Sequence, residues 1–185
     1  MRDFVYYTPT EVVFGRESED QIVPLLKKYG AGKVLIHYGG GSAVRSGLIP
    51  KIKVMLDSAG MPWVELGGVV PNPHLSLVYE GIELCKREGV DFILAVGGGS
   101  VIDSAKGIAY GIRYPGDVWD FFDGKATPAA SAPVGVVLTI PASGSEMSDS
   151  CVLTNTEKDG QRAIDRAESG QYCRPSCSRS GCRRS

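Results

Sequence analysis

Gly97-Gly98-Gly99-Ser100-Val101-Ile102-Asp103-Ser104-Ala105-Lys106 follows residues 91–96, a run that is apolar after Asp91. A short continuous apolar run that breaks into glycine and resumes with helical spacing predicts a buried strand turning directly into a helix. Such a turn bares backbone N–H groups at the positive end of the helix dipole, and the missing side chains let an anion come close. In this reading Ser100 caps the helix and Asp103 sits in its first turn. Lys106, about one turn further on, pairs with Asp103 or reaches an anion. A second junction lies upstream, where residues 33–37 run into Tyr38-Gly39-Gly40-Gly41-Ser42. Consecutive glycines weaken a chain that gains nothing in return, so the pair predicts two phosphate cradles and a long, doubly phosphorylated ligand such as a dinucleotide. Neither junction has the Gly-x-Gly-x-x-Gly spacing of the usual dinucleotide fingerprint.

The rest of the chain alternates strand and helix around these turns. Residues 4–14 alternate, with a break at Thr8-Pro9-Thr10, and read as an N-terminal β-hairpin. Ile22, Leu25, Leu26 and Tyr29 share one helical face, with Pro24 bending or delaying its start. Leu48, Ile52, Met55, Leu56 and Ala59 form a second stripe. Leu75, Val78, Ile82 and Cys85 form a third, opened by Asn72 as cap with Pro73 at the first helical position. Strands are expected near residues 33–38, 63–66, 91–96 and 134–139. This βα alternation predicts an α/β, Rossmann-like, mostly parallel sheet with helices on both faces. Residues 114–133 read as a long loop pinned by Trp119, Phe121 and Phe122 near the cofactor cleft.

A third segment narrows the choice. Thr139-Ile140-Pro141-Ala142-Ser143-Gly144-Ser145-Glu146 follows the apolar run 134–138 and sets Thr139, Ser143 and Ser145 where their hydroxyls can bond ribose or phosphate. With the two glycine turns, it resembles the cofactor domain of the iron-containing (group III) alcohol dehydrogenases, and most closely their butanol dehydrogenase branch. The resembling stretch is residues 4–158, and 97–106 with 139–146 are its specific motifs. The cofactor-binding set expected from these motifs is Gly39, Gly40, Gly41, Ser42, Gly97, Gly98, Gly99, Ser100, Asp103, Lys106, Thr139, Ser143 and Ser145. Enzymes that prefer NAD commonly place an acid after the adenosine-side strand. Residues 39–42 offer none, Ser42 can donate a hydrogen bond and Arg45 lies one turn into the helix, so NADP(H) is favoured over NAD(H).

Composition agrees with a domain of this kind. The chain has 185 residues, 43% apolar content and a formal net charge of -1. It is long enough to bury one full core and has no general attraction for nucleic acid or membrane. No N-terminal apolar stretch reads as a signal peptide and no apolar run approaches membrane-spanning length, so a cytoplasmic location is expected. Of five cysteines, Cys85 and Cys151 sit in apolar periodic segments as small buried thiols.

The resemblance also implies a second, all-helical domain, in which one aspartate and three histidines hold iron or zinc that polarises the alcohol oxygen. Only two histidines are present, His37 and His74. Both fall inside the cofactor-domain match with structural or solvated roles, so no iron or zinc is expected to bind. Residues 161–185 carry six arginines, three cysteines and five serines with almost no aliphatic side chains. They read as a disordered or out-of-frame tail after a cofactor domain of residues 1–160. Cys173, Cys177 and Cys182 lack a fourth ligand and Cys-x-x-Cys spacing. The resemblance implies an NADP(H)-dependent oxidoreductase of short alcohols and aldehydes, truncated and weak or inactive as an alcohol dehydrogenase, and a homodimer through the N-terminal hairpin. The alternatives are a cofactor-binding domain without native catalysis, or a relative of dehydroquinate synthase and glycerol-1-phosphate dehydrogenase.

Overall fold

Two strands carry the centre of the molecule. The computed structural model describes residues 9–156 and 160–164, and β1 (Val34–Gly39) and β3 (Phe92–Gly97) lie side by side within it. Every residue of β3 is buried, as expected of a strand covered on both faces of a parallel sheet. Strand alternation splits these side chains between two cores. Leu35, Ile93 and Ala95 enter one, while Val34, Ile36, Phe92, Leu94 and Val96 enter the other. With β2 (Trp63–Val69) and β4 (Val134–Leu138) the sheet has the order β2-β1-β3-β4, all parallel.

Helices cover both faces. On one lie α1 (Ile22–Lys28) and, after the short α2 (Ser42–Arg45), α3 (Leu48–Ser58), which bury Ile22, Leu26, Ile49, Ile52 and Leu56. Pro24 falls in the first turn of α1, where its missing N–H costs no helical bond. On the other face lie α4 (Leu75–Glu88) and α5 (Gly99–Arg113). The expected stripe of α4 is buried, but its start differs from the sequence reading. His74 occupies the N-cap position, without a side-chain cap bond, and Asn72 adopts a left-handed φ of 57° outside the helix. The cause is tertiary: Thr154 N–H donates to the Pro73 carbonyl at 2.8 Å and His74 bridges to Thr154, so residues 73–74 run extended beside another strand.

That strand, β5 (Cys151–Asn155), pairs antiparallel with β6 (Gly160–Ile164) and buries Cys151 and Leu153 against α5. The hairpin is absent from the sequence reading, and its second strand runs past the expected end of the domain at residue 160. Cys85 is buried as expected, and burial pushes its thiol up to about 12.

Two further expectations change. Residues 9–14 form no strand; the other half of the expected N-terminal hairpin lies outside the described residues, as do residues 165–185 with Cys173, Cys177 and Cys182. The aromatic loop is pinned as expected: Trp119 stacks on Phe122 at 4.9 Å and Phe121 meets Tyr114 at 4.5 Å. It packs, however, on the carboxyl-terminal end of α5, away from the glycine turn, and leads through Ala132, bonded to the Ala109 carbonyl, into the amino end of β4.

Candidate cofactor site

The two glycine turns emerge together. Tyr38 is in register with Val96 across adjacent parallel strands, so Gly39-Gly40-Gly41 and Gly97-Gly98-Gly99 leave the same edge of the sheet about 5 Å apart. The helix after β1 packs on one face and the helix after β3 on the other. This reversal of winding opens a crevice at the carboxyl ends of the strands, the position where open α/β sheets take ligands.

A methyl group placed on these glycines would meet very different surroundings. At Gly39 it would lie 3.3 Å from the Val69 carbonyl, at Gly97 2.5 Å from Val101, and at Gly99 it would overlap the Ser143 hydroxyl. At Gly41 it would collide with the Arg45 guanidinium. Gly39, Gly97 and Gly99 are small because the protein itself closes on them, whereas at Gly41 only the end of an exposed, movable arginine stands in the way. Gly40 has nothing within 4 Å, and at Gly98 the nearest atoms, both of Ile140, are 3.7 and 3.8 Å away. Gly40 therefore faces open space, while Gly98 has room for a Cβ in ordinary contact beneath Ile140.

Gly98, not Ser100, holds the N-cap position of α5, and no side chain caps the helix. Ser100 lies inside the first turn. Val101 and Ile102 N–H groups donate to the Gly98 carbonyl, whereas those of Gly98, Gly99 and Ser100 have no partner among the described residues. Three donors at the start of a helix of fifteen residues form an anion-binding end. The first junction is weaker in this respect, since α2, opened by Ser42, is one turn long.

The remaining expected residues are drawn together, though not around open space. Asp103 stands one residue past the first turn of α5. One of its carboxylate oxygens accepts the Ser145 hydroxyl at 2.5 Å and the other the Val152 N–H at 3.2 Å. Lys106 donates to the Ser145 carbonyl at 2.6 Å, the Ser145 hydroxyl at 2.9 Å and the Ser150 carbonyl at 2.8 Å. It makes no ion pair with Asp103. Burial lowers the Lys106 ammonium below the ordinary lysine value, and the charges of Asp103, Asp149 and Glu146 oppose that fall. Ser143 accepts the Ser145 N–H at 3.3 Å. Thr139 is exposed, and its N–H extends the ladder to the Gly97 carbonyl at 3.0 Å.

Beneath the turns His37 is sealed from solvent. Its Nδ1 lies 2.8 Å from the Leu66 carbonyl and its Nε2 2.8 Å from the Ser104 hydroxyl. A carbonyl only accepts, so Nδ1 carries the proton and Ser104 donates to Nε2. Burial drives the imidazole down to about 4, and the ring is a satisfied core histidine. Sequence reasoning missed this link, the Ser150 and Val152 partners, and Ile140 over Gly98. Each joins residues far apart in the chain, and only Ile140, an apolar side chain in a hydroxyl-rich loop, left a local signal.

The family model for iron-containing alcohol dehydrogenases matches residues 9–169. The chain belongs to this family. It is 48% identical over 157 residues to a probable NADH-dependent butanol dehydrogenase of Bacillus subtilis, covering 85% of this chain and 40% of that protein. The NADPH-dependent aldehyde reductase of Escherichia coli is 35% identical over 171 residues, covering 90% and 43%. The solved NADH-dependent butanol dehydrogenase A of Thermotoga maritima superposes with a TM-score of 0.87 at 43% identity, covering 90% of this chain and 42% of that one. The chain thus spans about two fifths of the length of these iron-containing alcohol dehydrogenases. The family name implies iron, yet among the described residues no group of three or more His, Cys, Asp or Glu side chains is placed to hold a metal. Both nitrogens of His37 are already committed. These residues fit a dinucleotide and not a metal centre. Among them, no helix is long and apolar enough to cross a membrane.

Proposed function

We propose that this chain carries the nicotinamide-dinucleotide-binding portion, running through β6, of an oxidoreductase that moves hydride between NAD(P)(H) and short alcohols or aldehydes. The observation that carries the reading is the pair of glycine turns at a strand-order switch, with open space over Gly40 and room for a Cβ at Gly98, beside three unpartnered N–H donors at the start of α5. The N–H groups of Gly98, Gly99 and Ser100 would hold one phosphate of a bound dinucleotide, and the turn after β1 would receive the rest of its chain. Oxidation of an alcohol sends hydride to the nicotinamide and releases the hydroxyl proton. The part played here is to bind and orient the dinucleotide. Of the expected ligands, Gly40, Gly98, Gly99, Ser100 and the exposed Thr139 keep that role best. Asp103, Lys106 and Ser145 serve the site through one another.

Between the two cofactors, Arg45 supports NADP(H). Its guanidinium lies over Gly41, and no acid stands in residues 39–42 to repel a 2′-phosphate. The relatives at 48% and 43% identity are named for NADH and the one at 35% for NADPH, so both cofactors belong in the test.

The test is titration of the chain with NADPH and NADH by fluorescence and calorimetry. Micromolar binding, about 8 kcal/mol, is expected. Gly98→Asp sets a carboxylate where the phosphate approaches, in space that accepts a Cβ, and should weaken binding at least a hundredfold with an unchanged circular dichroism spectrum. Undiminished affinity in a folded Gly98→Asp chain would remove the proposed cradle.

A further inference from the structure

Lys106 invites assignment as a phosphate ligand, and its surroundings argue against it. All three ammonium hydrogens are directed to Ser145 and Ser150, leaving none for an incoming anion. The charges around it are Asp103, Asp149 and Glu146, so the cluster is negative overall and repels phosphate. Its connections point instead to the loop of residues 139–150. That loop is tied at its start by the Thr139 N–H to Gly97. It is tied at its end by Lys106 and Asp103, which grip Ser145, Ser150 and the Val152 N–H. Between the ties, Ile140 and Ser143 arch over Gly98 and Gly99.

Resting on the cofactor reading above, we propose that Asp103 and Lys106 are positioning residues whose clamp on Ser145 sets the gap between Gly98 and Ile140, and with it the affinity for the dinucleotide's phosphates. Ser145 is the shared element: its hydroxyl gives its hydrogen to Asp103 and accepts from Lys106. Loss of any of the three frees the same end of the arch.

The sign of one substitution separates this role from simple electrostatics. Asp103→Asn removes a negative charge, so a purely electrostatic role predicts tighter phosphate binding. The clamp predicts weaker binding, because an amide cannot accept from both Ser145 and Val152 as the carboxylate does. The experiment measures NADPH and NADH affinity together with amide hydrogen exchange on the full chain and on Asp103→Asn, Ser145→Ala, Lys106→Met and Lys106→Arg. In the first three, we expect affinity to fall about tenfold, and exchange to quicken at residues 143–152 while β1 and β3 remain as in the parent. Lys106→Arg, which keeps the donors and the charge, should recover part of the affinity. Tighter or unchanged binding in Asp103→Asn overturns the proposal, as does unaltered exchange in the loop. If the parent chain binds neither nucleotide, the cofactor reading has failed and positioning fails with it. Quickened loop exchange in the variants would then leave only a structural tie.

Discussion

In a site closed to water, each nitrogen of His37 must find its own partner, and the two it finds hold the imidazole neutral. Leu66 accepts from Nδ1 and Ser104 donates to Nε2, so a second proton would leave Ser104 facing a donor. The folded value of about 4 lies below the ordinary 6.5. The unfolded chain therefore binds the proton more readily, and stability is complete above 6.5 and lost as pH falls toward 4. Between pH 7.5 and pH 5 the loss from this residue is about 2 kcal/mol. Urea midpoints at the two pH values should show it, and the difference should shrink in His37→Gln; an equal difference in that variant would place the proton elsewhere. Ser104→Ala strands Nε2 in the interior and should cost about 1–3 kcal/mol at any pH above 6.5. Arg45 bears on choice of cofactor. An exposed guanidinium that meets a phosphate contributes about 1–2 kcal/mol, so Arg45→Ala should weaken NADPH about tenfold and NADH little. Equal losses for both would show that Arg45 does not reach a 2′-phosphate.

Between elements, the crossing of α4 and α5 depends on what is missing from their surfaces. A methyl at Gly81 would strike Ile108, one at Gly111 would strike Ile82, and one at Gly107 would lie 3.0 Å from Leu153. Alanine improves intrinsic helix propensity by about 1 kcal/mol, but overpacking costs about 1–3 kcal/mol, and at Gly111 the obstructing side chain is held in the core. Gly111→Ala should therefore destabilise the chain, with a lower urea midpoint; a higher one would mean that α4 moves aside freely. Propensity and period made much of this architecture legible in advance. The stripe Leu75, Val78, Ile82 and Cys85 and the apolar run ending at Gly97 announce their helix and strand because their signals repeat locally. The caps did not, since Asn72 and Ser100 are suitable residues displaced from those positions by tertiary pairing and by the strand-to-helix turn. Asp103 and Lys106 look like a local pair at helical spacing. Their partners lie 39 to 49 residues away, and such distant partners leave no periodic trace. The β5–β6 hairpin was hidden for a related reason, its strands being five residues each.

Across the whole molecule, the four-stranded sheet divides two cores, and each strand sends side chains into both. Gly40 opens beside the core behind α3, and Gly98 beside the core behind α5. A dinucleotide lying over both turns touches the ends of both layers, so its binding free energy adds to the cooperative stability of the entire sheet. Fragments that reach one turn alone bind more weakly and add less at equal concentration. For a ligand that binds only the folded state, a concentration one hundred times Kd adds about 2.7 kcal/mol. In a chain of this size that raises the melting temperature by about 5–10 °C. Thermal scans with NADPH or NADH at that excess should show the rise, with AMP at the same concentration producing less than half of it. The Gly98→Asp chain should show almost none. A full rise with AMP would confine the ligand to a single turn and remove the case for a crevice that joins the two cores.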